Sequence, residues 1–330
     1  MPPLLASRPV NRVKPIIMRI VFMGTPESAV PSLRRLVQDG HDIVAVWTQQ
    51  DKPAGRGDKM RSPPIKEFAL EHGLHVEQPK KIKTVQAKDL FASSEADVAV
   101  VVAYGRILPP EYLSAPRRGC INVHFSLLPL YRGAAPANWA IVNGEKRTGV
   151  TTMFIEEELD SGPILLQRET LIGETETALE LMQRLSEVGA ELLSETLSNL
   201  DVITPRPQHD RDATFAPLLA KADGLVNWSS RASAIERCVR GFQPWPDAYT
   251  FHNRHRLIIW RASVEALPPG DEGRQDGEVI VAHGDDLLVK CGEGTALRLH
   301  EVQPEAKRRM SVRDFLNGTH LKIGDRFGTI

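Results

Sequence analysis

Cysteine is scarce: Cys120, Cys238 and Cys291 are the only three in 330 residues, widely spaced and free of any C-x-x-C pairing. An odd number at such distances excludes a disulfide framework and a cysteine zinc site, and it fits a reducing cytoplasm. Long apolar runs are also missing. No stretch approaches the roughly 20 residues of a membrane span, and the Pro-Leu-Leu-Ala fragment near the start is too short for a signal-peptide core. No membrane association is expected. Net charge is almost absent, at −1, so there is no global attraction to nucleic acid, and an anionic partner has to be gripped by a local basic patch. H-E-x-x-H and G-x-G-x-x-G do not occur, which removes support for a metal or a dinucleotide. His252-Asn-Arg-His255 reads as a strand and turn rather than a metal pair. No internal repeat is apparent.

What is present is a chain with 42% hydrophobic content, able to bury a substantial core, and long enough for two domains. Residues 1–17 carry Arg8, Arg12 and Lys14 among four prolines and are expected to be a disordered extension, with the fold beginning at Met18. Arg19-Ile-Val-Phe-Met-Gly24 reads as a buried strand. Thr25 is placed to cap a helix that starts at Pro26 and stops at Gly40. Asp42 to Thr48 and Asp97 to Ala103 are further buried strands of the kind found in parallel sheets. Helical spacing runs from Ile65 to His72 and from Leu179 to Leu200. Periodicity fails around Asp201 to Asp210, where two prolines mark a linker. Beyond it, a helix at Ala232 to Arg240 and short turn-punctuated strands suggest a small barrel. The expected fold class is α/β, with a Rossmann-like domain over residues 18–205 and a smaller C-terminal OB-like β-barrel over residues 206–330.

The chemistry concentrates in Gly119-Cys-Ile-Asn-Val-His-Phe-Ser-Leu-Leu-Pro129. Period 2 puts Asn122 and His124 on one face of a strand, and Pro129 ends that strand at once. The pair therefore sits near a strand's carboxyl end, where open α/β sheets place ligands. A lone histidine in a strand is more often a packing residue than a catalyst. A paired amide at the strand end weighs against that.

The segment Gln49 to Pro64 is long for a strand-to-helix connection. Lys52, Arg56, Lys59 and Arg61 outnumber Asp51 and Asp58 in it, which suits either a polyanion-binding loop or a solvated surface loop.

Several motifs together resemble the bacterial methionyl-tRNA formyltransferase family, from about Met18 nearly to the end. They are Met23-Gly-Thr-Pro-Glu-Ser-Ala-Val-Pro-Ser-Leu33, Asp51-Lys-Pro-Ala-Gly-Arg-Gly57, Ala103-Tyr-Gly-Arg-Ile-Leu-Pro109, Asn122-Val-His-Phe-Ser-Leu-Leu-Pro129, Tyr131-Arg-Gly-Ala-Ala-Pro136, Leu159-Asp-Ser-Gly-Pro163 and Arg240-Gly-Phe-Gln-Pro-Trp-Pro246. The resemblance implies formyl transfer from 10-formyltetrahydrofolate to the amino group of methionyl initiator tRNA, with no metal and no obligate protein partner. It places Asn122, His124 and Asp160 at catalytic positions and Ser126, Leu127, Leu128 and Pro129 in the folate segment. For tRNA the charge pattern points to Lys52, Arg56, Lys59 and Arg61, with Lys307, Arg308 and Arg309 as either a second patch or a solvated face. Phe125 stands where a small residue is expected, and Glu156-Glu-Glu158 replaces a stretch that more often holds glycine.

An amine attacking a formyl carbon develops negative charge on oxygen, which Asn122 and His124 can meet with N–H donors. The departing aryl amine needs a proton, and an aspartate beside His124 orients it as an acid. Formyl transfer to a sugar nucleotide or purine precursor, hydrolysis of the same folate, and noncatalytic RNA binding share parts of this pattern. The basic loop and the long C-terminal domain favour tRNA.

Overall fold

The computed structural model describes residues 17–54 and 59–328, so residues 1–16 of the expected extension lie outside the described residues. Two compact units are present. One holds the described residues up to Ile121 together with Leu193–Thr204, and the other holds Asn122–Leu192 together with the residues from Pro205 onward.

The first unit is built on β1 (Arg19–Gly24), α1 (Val30–Gln38) and β2 (Asp42–Trp47), then β3 (Lys52–Ala54), β4 (Lys59–Arg61), α2 (Pro64–Glu71), β5 (Val76–Glu77), α3 (Val85–Ala92), β6 (Val98–Val102) and α4 (Pro110–Ser114). β6, β1, β2 and β5 lie side by side in that order, with parallel pairing at β6–β1, β1–β2 and β2–β5. Every residue of β6 and all but the first of β1 are buried, as apolar runs covered on both faces of a parallel sheet must be. Trp47, Phe91 and Tyr112 form an aromatic cluster with ring centroids 4.5–5.9 Å apart.

Two local expectations are corrected here, and one helix is added. Thr25 does not cap a helix: its hydroxyl donates to the Tyr104 carbonyl at 3.1 Å, and a 3₁₀ turn at Glu27–Ala29 precedes α1. The segment from Gln49 to Pro64 is not all loop, because β3 and β4 pair as an antiparallel ribbon. α3, capped by the Thr84 hydroxyl accepting from the Ala87 N–H at 3.3 Å, was hidden in sequence by its weak apolar periodicity.

The second unit opens within β7 (Cys120–His124) and continues through β8 (Arg132–Gly133), α5 (Pro136–Asn143), β9 (Arg147–Phe154), β10 (Ile164–Leu171), α6 (Ala178–Ser198) as far as Leu192, and β11 (Phe215–Ala216). β7 neighbours β9, and β9 pairs antiparallel with β10. Gly189 brings α6 close: a Cβ there would stand 2.9 Å from Val123 and 3.5 Å from the Phe125 ring. The missing side chain at Gly189 is what leaves room for Phe125 there. Its side chain is buried on the face of the strand opposite Asn122 and His124, so the larger residue occupies space under α6.

The C-terminal module holds α7 (Ala232–Gly241), β12 (Ala248–His252), β13 (His255–Ala266), β14 (Val279–His283), β15 (Asp286–Cys291), β16 (Thr295–Pro304), β17 (Met310–Ser311) and α8 (Val312–Asn317). Its antiparallel order is β12-β13-β16-β15-β14, with β17 on β16. Residues 324–328 bridge the two outer strands. Val279 N–H donates to Asp325 O at 2.8 Å, and Gly328 N–H donates to Phe251 O at 2.9 Å. Backbone groups left bare at sheet edges invite pairing with other chains, and this segment covers part of each edge. Trp228, Leu257, Ile259, Leu297, Leu299 and Phe315 fill the interior. Asn253 and Arg254, both at positive φ, make the two-residue hairpin of His252-Asn-Arg-His255.

Candidate active site

β7 ends with Asn122 half-buried and His124 only 5% exposed, both toward the same side as alternation requires. Phe125 to Tyr131 then folds back tightly. The buried Thr151 hydroxyl on β9 donates to Ser126 O at 2.7 Å and accepts from Leu128 N–H at 3.1 Å. Gln167 Nε2 donates to Leu128 O at 2.9 Å, and Ser126 Oγ donates to Leu130 O at 2.6 Å. Ser126 and Leu128 are thus turned inward, and Leu128 packs with Met153 and Ile164. Leu127 and Pro129 stay partly exposed, so the wall this segment offers a ligand is apolar and rigid.

The turn carries Tyr131 O to 2.9 Å from His124 Nε2. A carbonyl can only accept, so Nε2 carries a hydrogen and Nδ1 is the nitrogen left for chemistry. The single N–H of the neutral ring is therefore committed to Tyr131. His124 can donate to a developing oxyanion only when protonated, which narrows the role expected from sequence.

Asp160 comes from the connection between β9 and β10 and meets this pair. Its Oδ2 stands 3.7 Å from His124 Nδ1, and its Oδ1 lies 3.5 Å from Asn122 Nδ2. The first distance is too long for a hydrogen bond. Two acceptors, Nδ1 of a neutral ring and a carboxylate oxygen, face each other across a gap that a donor can bridge. Asp160 Oδ2 meanwhile accepts the Gly133 N–H at 2.8 Å. The Asp160 backbone lies at φ 50°, the left-handed region that aspartate tolerates better than most residues. Gln208 clamps this turn by donating to Asp160 O at 2.9 Å and Gly162 O at 2.8 Å.

Sequence reasoning missed Thr151, Gln167, the Tyr131 carbonyl, the Gly133 N–H and Gln208. Tyr131 and Gly133 lay inside a motif that carried the resemblance. Gln208 sat in the stretch from Asp201 to Asp210 taken for a linker, in which Arg206 forms an antiparallel bridge with Ile164. Among the described residues, no cluster of metal-ligating side chains is present and no helix is long and apolar enough to cross a membrane.

The basic ribbon belongs to the first unit. Lys52 and Arg61 are direct cross-strand partners and both are exposed. Like charges in that register repel by about 0.2–1 kcal/mol unless an anion lies between them. Asp51 does not neutralise them. Its carboxylate accepts from Gln78 at 2.8 Å, from Lys66 at 2.8 Å and from Ser62 at 3.3 Å. Hydrogen bonds from Gln78 and then Lys66 hold its carboxyl below the usual range. Arg56 lies outside the described residues, as does the Lys59 side chain. On the barrel, Lys307 and Arg308 are exposed, but Arg309 pairs with Glu301 at 2.6 Å and lies 4.9 Å over the Trp260 ring.

A model described as formyl transferase matches residues 18–197, and one described as formyl transferase, C-terminal domain, matches residues 218–320. A Rossmann-like α/β fold with an amide, an imidazole and a carboxylate gathered at a strand end is thus that of a formyl-group transferase. The methionyl-tRNA formyltransferase of Caldanaerobacter subterraneus subsp. tengcongensis is 47% identical over 318 residues, covering 93% of this chain and 99% of that one. The chain belongs to the methionyl-tRNA formyltransferase family. Two solved structures share the fold at 17% identity. The methionyl-tRNA formyltransferase from Clostridium thermocellum has a TM-score of 0.54 over 75% of this chain and 93% of that one. WlaRD, a sugar 3N-formyl transferase solved in the presence of dTDP and 5-N-formyl-THF, has a TM-score of 0.63 over 89% of this chain and all of that one.

Proposed function

We propose that this chain transfers the formyl group of 10-formyltetrahydrofolate to the amino group of methionyl initiator tRNA, acting as a cytoplasmic monomer with a catalytic domain at residues 18–205 and a tRNA-binding barrel domain at residues 206–330. The observation that carries the site assignment is the meeting of Asn122, His124 and Asp160, with His124 Nδ1 and Asp160 Oδ2 facing each other at 3.7 Å. An amine seated alongside both can give one hydrogen to each.

Catalysis follows from that arrangement. His124 Nδ1 takes a proton from the attacking amine as the new N–C bond forms, and Asp160 stabilises the resulting imidazolium. Asn122 Nδ2 donates toward the negative charge that builds on the formyl oxygen. His124 then returns the proton to the nitrogen whose bond to the formyl carbon breaks, so atoms and charge balance over the cycle. The segment Ser126, Leu127, Leu128 and Pro129 would hold the folate through the partly exposed Leu127 and Pro129 and through its fixed main chain. Lys52, Arg56, Lys59 and Arg61 would meet tRNA phosphates.

The direct test supplies labelled formyl-folate with methionyl initiator tRNA, with deacylated tRNA and with water alone. Label should pass only to the methionyl amino group; label released as formate at the same rate without tRNA would sink the assignment. The ribbon has its own test. Arg56→Ala, or Lys52→Ala with Arg61→Ala, should weaken tRNA binding and flatten the slope of log K against log salt by about 0.7–0.9 for each phosphate no longer neutralised. The KM for folate should not change. An unaltered salt slope would remove these residues from the interface.

A further inference from the structure

We propose that Gln208 is a positioning residue for formyl transfer, holding Asp160 at the angle that aims its carboxylate at His124; the proposal rests on the catalytic assignment of Asp160 made above. Asp160 sits at φ 50°. A non-glycine residue in that region is strained and persists only where its surroundings impose it. Three neighbours impose it here. The Gly133 N–H donates to the Asp160 carboxylate at 2.8 Å. A Cβ at Gly162 would stand 1.9 Å from Phe154 O, so the chain leaving Asp160 runs against β9 with no room to rotate. Gln208 Nε2 uses both of its hydrogens on the turn, one on Asp160 O and one on Gly162 O.

The orientation of that amide is itself determined. Gln208 Oε1 accepts from Arg132 Nε at 3.1 Å, and Arg132 Nη1 pairs with Asp210 at 2.9 Å. The Arg132 side chain is only 5% exposed, and its Nη2 is buried without a partner among the described residues. Leaving a buried guanidinium nitrogen unpaired is unfavourable. Arg132 is thus held in place at a cost, and what it orients is Gln208. Arg132 and Gly133 are the two residues of β8, so one short strand grips Asp160 twice, through the Gly133 N–H at the carboxylate and through Arg132 and Gln208 at the carbonyl. Without the clamp, the Asp160 carbonyl loses its side-chain donor and the turn keeps only the Gly133 and Gly162 restraints, which fix the peptide plane less closely. The carboxylate then swings away from Nδ1.

Gln208→Glu is nearly isosteric and replaces the double donor with an acceptor facing two carbonyls. Steady-state kinetics of the full chain should show kcat lowered by about 10²-fold, the loss expected when a catalytic group shifts by about 1 Å. KM for both substrates should stay within about twofold, since only transition-state interactions are removed. Residues acting as one unit are not additive, so Gln208→Glu combined with Asp160→Asn should be no more than about threefold slower than Asp160→Asn alone. A kcat loss under threefold, or losses that multiply in the double variant, overturns the proposal, because a merely structural strap lowers stability without acting through Asp160. An Asp160→Asn enzyme of normal rate would instead sink the catalytic assignment, and this proposal with it. Should Gln208→Glu fail to fold by circular dichroism, Arg132→Lys keeps the charge, removes the Nε donor and is judged on the same three criteria.

Discussion

His124→Ala should lower kcat/KM by roughly 10³–10⁴-fold, because it removes the one group placed to carry a proton between the two reacting nitrogens. The side chain is nearly fully buried and its Nε2–H satisfies Tyr131 O. Alanine therefore also leaves a carbonyl without its donor, at a cost of about 1–3 kcal/mol, and an activity loss could be mistaken for unfolding. His124→Gln separates the two effects. Its amide can donate to Tyr131 O, so melting should return toward the wild-type temperature while transfer of labelled formyl stays absent. Near-normal turnover in either variant would refute the assigned role.

Asp160→Asn should cost about 10²–10⁴ in kcat, the upper end being the loss seen when the aspartate of a Ser-His-Asp triad is replaced by its amide. Volume is preserved, asparagine tolerates the left-handed backbone, and its carbonyl can still accept the Gly133 N–H. What disappears is the negative charge beside Nδ1 and the Oδ1 acceptor 3.5 Å from Asn122 Nδ2. KM for tRNA and for folate should therefore hold while kcat falls, and thermal melting should barely move. Asp160→Ala adds a separate penalty of roughly 1–2 kcal/mol, because alanine has no polar group to favour positive φ. A matching loss of affinity for either substrate would mean that Asp160 binds rather than positions.

How far the site was legible depended on the kind of signal each residue left. Asn122 and His124 could be paired from alternation alone, since period 2 is local and β7 is short. Asp160 offered nothing local. It reaches the histidine across a turn at positive φ between β9 and β10, a geometry that composition and spacing do not encode, and only the resemblance pointed to it. Gln208 was hidden further, because prolines at 205 and 207 suppress every periodic signal in the stretch that carries it. Thr25 misled for the converse reason: a threonine before Pro-Glu satisfies the local capping pattern, yet the Tyr104 carbonyl, far along the chain, takes its hydroxyl. The ribbon of β3 and β4 escaped notice because Pro53 lies within it, and proline is tolerated in a two-stranded ribbon where a donor is not needed.

The tether between Tyr131 O and Nε2 has a consequence for traffic through the site. An imidazole held by one edge offers a single port, so a proton taken in at Nδ1 must leave from Nδ1. The ring cannot pass charge from one side to the other as a two-ended relay would. The nitrogen that gives up the proton and the nitrogen that receives it must therefore present themselves, one after the other, to the same few cubic ångströms.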